Sequence, residues 1–265
     1  MVHFAQVSFE RSEGKAVESS ELSNVLEIGG TVKTKENRVP TGIPSLDKII
    51  DGGFNAGDNI LVAGQPGAGK STLGAQFLYN GAVLYDQTGV YVTFVESGSK
   101  FKRDMLRFGW DFADLERQRK VMVLDLVQSI SKRGIEVNFE AILTASKTLN
   151  AKRLVIDSLS ALTTYINTKA EARSFVALAN RLLEASGCTA IMMVEMPWGK
   201  AEIGAGFEEF MADGLMILES RLEQFRVRRR LYVPKMRGTN HALDCFDFFI
   251  TSEGIKVSPV STAKE

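Results

Sequence analysis

Residues Gly64-Gln65-Pro66-Gly67-Ala68-Gly69-Lys70-Ser71 follow the pattern G-x-x-x-x-G-K-[ST]. Glycines at this spacing let successive backbone N–H groups turn toward one anion with no Cβ in the way. A helix starting at Lys70 adds its positive dipole end to the same point. In such a loop the lysine, here Lys70, reaches the β and γ phosphates of a nucleoside triphosphate, and the hydroxyl of Ser71 can ligate magnesium. The cradle as read from the sequence runs from Gly64 through Gln65, Pro66, Gly67, Ala68, Gly69, Lys70 and Ser71 to Thr72. Its flanks are the required ones: an apolar run, Asn59 to Ala63, and then a helix-period segment, Thr72 to Leu78. A chance glycine-rich turn would not be expected to have both.

A phosphate site that holds magnesium also needs a carboxylate at a strand end. Leu154-Val155-Ile156-Asp157 supplies one, and Asp157 is the expected partner of Ser71 on the metal. Hydrolysis needs a further group to orient or deprotonate water. Glu96, closing the run Tyr91 to Val95, is the candidate. Glu195 closes Ala190 to Val194 in the same way, and a γ-phosphate sensor and a structural strand-end acid are equal readings for it.

These side chains require a scaffold, and the hydrophobic pattern describes one. Buried strands are expected at Val90 to Val95, Val121 to Leu126, Leu154 to Ile156 and Thr189 to Val194; helices are expected at Lys100 to Phe108, Phe139 to Leu149 and Glu171 to Ala185. Such alternation predicts a mainly parallel α/β sheet covered on both faces. Beyond residue 213 the segments Leu215 to Leu218, Phe225 to Lys235 and Phe246 to Ile250 are strand-like with no helix between them, which predicts an antiparallel extension. Ser45 is the expected cap of a short helix ending at Gly52-Gly53. The expected division is a polar N-terminal arm over 1–38, one nucleotide-binding domain over 39–257 and a tail over 258–265.

Composition bounds the function. The chain has 265 residues, 45% hydrophobic and 24% charged, with 32 basic and 32 acidic side chains. No global field draws it to nucleic acid or an acidic membrane, so such contacts would need a local patch. With only Cys188 and Cys245 present, a disulfide framework is ruled out and a reducing, cytoplasmic setting is expected. Neither a secretory leader nor a membrane span is read in the sequence.

From Arg38 to Ile255 the chain resembles the KaiC-like branch of the RecA superfamily. The resemblance rests on Thr41-Gly42-Ile43-Pro44-Ser45-Leu46-Asp47 with Gly52-Gly53, Gln76 to Gly81, Phe108-Gly109-Trp110-Asp111, Ile156 to Leu162, Glu208 to Gly214 and Lys235-Met236-Arg237-Gly238-Thr239-Asn240-His241. It implies a RecA-like three-layer sandwich, ATP as ligand with Mg2+, and a homo-hexameric ring. It also implies that Lys235 and Arg237, with Thr239 and His241 beside them, reach the nucleotide of a neighbouring subunit. A trans-acting cation of that kind stabilises transition-state charge.

Two departures from the family pattern bear on activity. The usual paired carboxylates become Val95 and Glu96, which leaves one acid; slow hydrolysis and sufficiency of Glu96 alone are the two readings. Where clock-type members carry a phosphorylatable Ser-Thr pair, this chain has Glu209-Phe210. The basic run Arg226-Val227-Arg228-Arg229-Arg230 would place Arg226, Arg228 and Arg230 on one strand face. Acid-paired surface is the favoured reading for it and DNA tracking the lesser one. The function expected is a magnesium-dependent ring ATPase, regulatory or signalling; the alternatives are an ATP-binding scaffold that hydrolyses little and a recombinase-related DNA-binding ATPase. A protein partner remains open.

Overall fold

The computed structural model describes residues 37–127, 134–164, 166–198, 203, 206, 209, 212–223 and 225–260. Most of the expected arm, the last residues of the tail, and Glu208, Phe210 and Met211 of the block before Gly214 lie outside the described residues.

The elements are β1 (Arg38–Val39), α1 (Pro44–Ile49), β2 (Phe54–Asn55), β3 (Asn59–Gly64), α2 (Lys70–Leu84), β4 (Gly89–Thr93), α3 (Gly98–Met105), α4 (Phe112–Arg117), β5 (Val121–Asp125), α5 (Gly134–Leu149), β6 (Arg153–Asp157), α6 (Leu159–Thr163), α7 (Lys169–Ser186), β7 (Thr189–Glu195), β8 (Gly214–Glu223), β9 (Arg226–Met236), β10 (Phe246–Thr251) and β11 (Gly254–Pro259). A nine-stranded sheet runs β11-β10-β9-β8-β3-β7-β6-β4-β5, and β1 pairs with β2 apart from it. From β8 to β5 every pairing is parallel. From β8 outward through β11 every pairing is antiparallel. The mainly parallel sheet with an antiparallel extension is therefore what forms.

Strand alternation sorts the core into two layers. Ile60, Val62, Tyr91, Val155, Ile191 and Met193 pack on the side that carries α1 and α2. Leu61, Val90, Val92, Leu154, Ile156 and Met192 pack on the side of α5 and α7. Both faces of the parallel strands are dry, which is why those strands read as unbroken apolar runs instead of alternating ones. Among the described residues no helix is long and apolar enough to cross a membrane.

Local chemistry shifts several boundaries. Ser45 is not a cap: Ile43 holds that position without a side-chain bond, while the Ser45 hydroxyl accepts from the Val257 N–H at 3.0 Å and ties α1 to β11. Strand β4 stops at Thr93, short of Val95, because the Thr93 hydroxyl accepts from the Glu96 N–H at 3.2 Å and donates to the Glu96 carbonyl at 2.7 Å. That local ring turns the chain out of the sheet. Helix α4 was not visible as a periodic segment; the Asp111 side chain caps it by accepting from Asp114 N–H at 2.9 Å. Thr168 and Glu171 form a reciprocal capping box that starts α7.

Arg153 opens β6 with 0% exposure. Its Nη1 donates to the Phe77 carbonyl at 2.7 Å, its Nε to Gln87 Oε1 at 2.8 Å, and the guanidinium lies 4.4 Å from the Phe77 ring centroid. It thereby fastens the second half of α2 to β6. Its Nη2 has no hydrogen-bond partner among the described residues, and burial pushes its pKa down to about 10. Packing, not charge, is its main contribution, since a buried ion can often be exchanged for an apolar group at little cost. Urea unfolding is expected to show Arg153→Met within about 1.5 kcal/mol of the parent and Arg153→Ala weaker by about 3 kcal/mol; equal losses would place the stability in the charge.

Candidate nucleotide-binding site

The loop from Gly64 to Gly69 leaves the C-terminal end of β3 and enters α2 at Lys70. Gly67 and Gly69 have φ of 81° and 106°, conformations that a side chain would strain. At Gly69 a Cβ would also lie 2.9 Å from Phe248 and from Ile250, so β10 closes against the loop. Gln65 is tied to the extension rather than free for a ligand: its Oε1 accepts from the Ser220 N–H at 3.0 Å. Arg229 of β9 donates from Nε to the Gly67 carbonyl at 3.3 Å.

Lys70 donates to the carbonyls of Gly64 at 2.7 Å and Gln65 at 3.2 Å. Among the described residues this ammonium is hydrogen-bonded only to its own loop, a cation ready for a stronger, anionic partner. Ser71 Oγ donates to Asp157 Oδ2 at 2.6 Å, and the Tyr91 hydroxyl donates to the same oxygen at 2.8 Å. Asp157 is 6% exposed, and its Oδ1 receives no hydrogen bond among the described residues. A serine hydroxyl beside a carboxylate with a spare oxygen is a hard donor set suited to magnesium, which otherwise takes phosphate oxygens and water. No cluster of three or more His, Cys, Asp or Glu stands ready for a metal among the described residues.

Burial raises the Asp157 carboxyl above the ordinary aspartate range, with the Ser71 and Tyr91 bonds and the Lys70 charge pulling the other way. Burial lowers Lys70, opposed by the charges of Asp157 and Glu195. The Tyr91 hydroxyl, pushed well up by burial, is a fixed donor.

Beside Thr72 opens a cavity of about 690 Å³ whose walls include Arg103, Arg107, Phe108, Arg229 and Ile250. It adjoins Thr72 in the first turn of α2. On the other side of the loop, Pro66 and Glu195 line a recess of about 420 Å³ with Ser160, Thr163 and Trp198. Glu195 ends β7 with its N–H bonded to Ser160 Oγ at 2.8 Å. Glu96 lies in the bend after β4, near enough for its charge to push Asp157 up, and its carboxylate pairs with Lys100 at 2.5 Å.

The remaining predicted residues are not brought to this loop. Met236 is in register with Gly214 and Lys235 with Leu215; Gly214 pairs with Ile60, at the start of β3, and Leu218 with Gly64, at its end. Lys235 and Arg237 therefore sit at the opposite end of the sheet from their own loop, roughly 13 Å along the strands. There Lys235 Nζ donates to the Ala212 carbonyl at 2.7 Å and Arg237 Nη1 to Asp213 Oδ1 at 3.3 Å. Thr239 Oγ accepts from Arg38 at 2.8 Å. His241 Nδ1 lies 3.2 Å from the Thr239 carbonyl, and its buried Nε2 has no partner among the described residues. In the basic run, Arg230 bonds Asp247 and Glu223, with Arg228 Nε 3.7 Å from Glu223; the acid-paired reading fits both.

The sequence reading missed Tyr91 and Arg229. Tyr91 carried a weak signal, a hydroxyl inside an otherwise aliphatic strand interior. Arg229 carried a better one, because the alternation that groups Arg226, Arg228 and Arg230 sends Arg229 to the other face.

A glycine-rich loop feeding a helix, with a buried strand-end carboxylate on its serine and a doubly covered, mainly parallel sheet beneath, defines a RecA-like P-loop nucleotide-binding domain. The family model described as "ATPase: KaiC" matches residues 39–262. A UPF0273 protein of Methanocaldococcus jannaschii is 36% identical over 240 residues, spanning 86% of this chain and 98% of its own length. The circadian clock oscillator protein KaiC of Prochlorococcus marinus is 31% identical over 243 residues, covering 89% of this chain but 49% of that protein. The crystal structure of a KaiC-like protein from Pyrococcus horikoshii superposes with a TM-score of 0.76 at 36% identity, covering 84% of this chain and 99% of that one. The chain belongs to the KaiC-type ATPase family.

Asp157 would have to shed its proton to ligate a cation, and burial, by raising its pKa, would move the loss of such ligation to a higher pH than an ordinary aspartate would give. Tyr91→Phe deletes a donor that favours the ionised form. The pH below which magnesium ceases to enhance nucleotide-dependent thermal stabilisation should rise in Tyr91→Phe, with the unliganded fold weakened by about 1 kcal/mol. An unmoved pH threshold would remove Tyr91 from the site.

Proposed function

We propose that this chain is a magnesium-dependent ATPase that works as a closed homo-oligomeric ring, most simply a hexamer, in a regulatory or signalling role in the cytoplasm. The observation that carries the reading is the Ser71–Asp157 pair at the mouth of the loop, completed by Lys70, which among the described residues is hydrogen-bonded only to its own loop. Main-chain N–H groups between Gly67 and Thr72 would receive the β-phosphate, and Lys70 would exchange its carbonyl bonds for β- and γ-phosphate oxygens. Ser71 and Asp157 would hold Mg2+, which when bound neutralises charge developing on the phosphates. Arg229, which lines the cavity beside Thr72, would meet the triphosphate there, and that cavity would take the base and ribose. Glu96 would orient the attacking water.

Lys235 and Arg237 fit this scheme only across a subunit boundary, since their own loop lies at the other end of the sheet. A head-to-tail contact repeated around a closed rotation delivers one subunit's cations to the next subunit's phosphate. Thr239 and His241 would follow them into that contact. Acid pairing of Arg228 and Arg230 lowers the DNA-binding alternative. The scaffold alternative keeps one specific support, the absence of a carboxylate at Val95.

Lys70→Ala should abolish both nucleotide-induced thermal stabilisation and turnover. ATP with magnesium at a hundred times its dissociation constant should stabilise the parent by about 2.7 kcal/mol. Arg237→Ala should keep that stabilisation and lose turnover, and rings mixed from the two variants should recover part of it. Binding with no turnover above Lys70→Ala would leave the scaffold reading; intact rings without recovery would remove the trans assignment.

A further inference from the structure

Glu96, with Val95 as its neighbour, is the acid proposed to orient the attacking water, and it is already engaged. Its only side-chain hydrogen bond among the described residues is with Lys100, at 2.5 Å and one helical turn away. Its backbone is tied at both ends, the Thr93 hydroxyl accepting from its N–H and donating to its carbonyl. Lys100 is equally fixed: the Ser97 hydroxyl accepts from its N–H at 3.3 Å, and the next strand anchors the helix start, with Asp125 Oδ2 accepting from the Gly98 N–H at 2.9 Å. What remains free is the rotamer of each side chain.

Resting on the ATPase reading above, we propose that Lys100 is a brake on hydrolysis: its ammonium holds the Glu96 carboxylate, and turnover requires that pair to open. A site with two adjacent acids can give one to a cation and the other to water. With Val95 as the neighbour, one carboxylate serves both demands. Lys100 also has a second landing place, Asp104 Oδ2 at 3.9 Å on the same face of α3. Asp104 in turn lines the cavity beside Thr72. A nucleotide arriving there changes the surroundings of Asp104, so the brake is linked to occupancy by a chain of contacts: cavity, Asp104, Lys100, Glu96. Lys100 is a positioning residue, since it acts through Glu96 and not on the phosphate.

The pair is solvent-facing, with side-chain exposures of 53% for Lys100 and 21% for Glu96. Exposed pairs of this kind are weak and are screened by salt. The brake is therefore mild, and its release should be modest in size. Under saturating ATP and magnesium, Lys100→Met is expected to raise kcat about two- to fivefold with KM unchanged. Lys100→Arg, which keeps the cation, should return the rate toward the parent. Added potassium chloride should speed the parent more than Lys100→Met. In a Val95→Glu background the Lys100→Met gain should shrink, because a second acid is then available.

A readout independent of turnover is the side-chain 15N resonance of Lys100. It should shift on Glu96→Gln in the unliganded protein, and shift in the same direction when a non-hydrolysable ATP analogue and magnesium are added to the parent. A Lys100→Met rate at or below the parent rate overturns the brake while leaving the ATPase reading intact. Turnover no higher than Lys70→Ala in every variant overturns the ATPase reading instead, and a Lys100 resonance blind to the analogue then overturns the brake as well.

Discussion

One buried carboxylate organises the centre of this molecule. Asp157 stands at the end of β6 and accepts from Ser71 of α2 and from Tyr91 of β4 on a single oxygen. An ionised carboxylate in an apolar interior is costly unless hydrogen-bonded and faced by opposite charge. The two hydroxyls and the Lys70 ammonium meet that need in the absence of ligand. Because they come from different elements, meeting it fixes the first turn of α2 against the strand ends. The loop is thus held open in shape by the same atoms that its ligands would engage, and little reorganisation is left for binding.

The antiparallel extension matters as much as the parallel core. β10 presses Phe248 and Ile250 under Gly69, β8 holds Gln65 through its main chain, and β9 sends Arg229 to the loop carbonyl. Further along β9, roughly 20 Å of strand, comes Lys235 at the other end of the sheet. In a ring, a single extended segment would then touch its own nucleotide at one end and the neighbour's at the other. β9 is paired with β8 along its length and with β10 only at Arg230 and Leu231.

What was legible in the sequence follows from how local the determining physics is. The phosphate loop was readable because its glycines are demanded by its own backbone, and the parallel strands because burial on both faces leaves continuous apolar runs. Asp157 was readable as the polar end of such a run. Ser45 misled because a serine before a helical stretch has the local chemistry of a cap, while its real partner is Val257, distant in sequence. Helix α4 escaped because it is a turn and a half long and held by one aspartate instead of by periodicity. Tyr91 and Arg229 escaped because their partners are set by the sheet order, which places β4 beside β6 and β9 over the loop.

The Val95–Glu96 dipeptide shows how a small change in side-chain inventory redistributes several roles. The chain leaves the sheet at Thr93 through a hydroxyl-closed turn, so residue 95 faces outward with 57% exposure and needs no particular chemistry to fold. Valine there is tolerated by the structure and is felt only at the site, where one acid must now answer to the Lys100 ammonium, to the negative field of Asp157 and to any water near the γ-phosphate. Of the two charged neighbours of Glu96, Asp157 is held by the core, while Lys100 stands on the surface of α3 with its side chain 53% exposed.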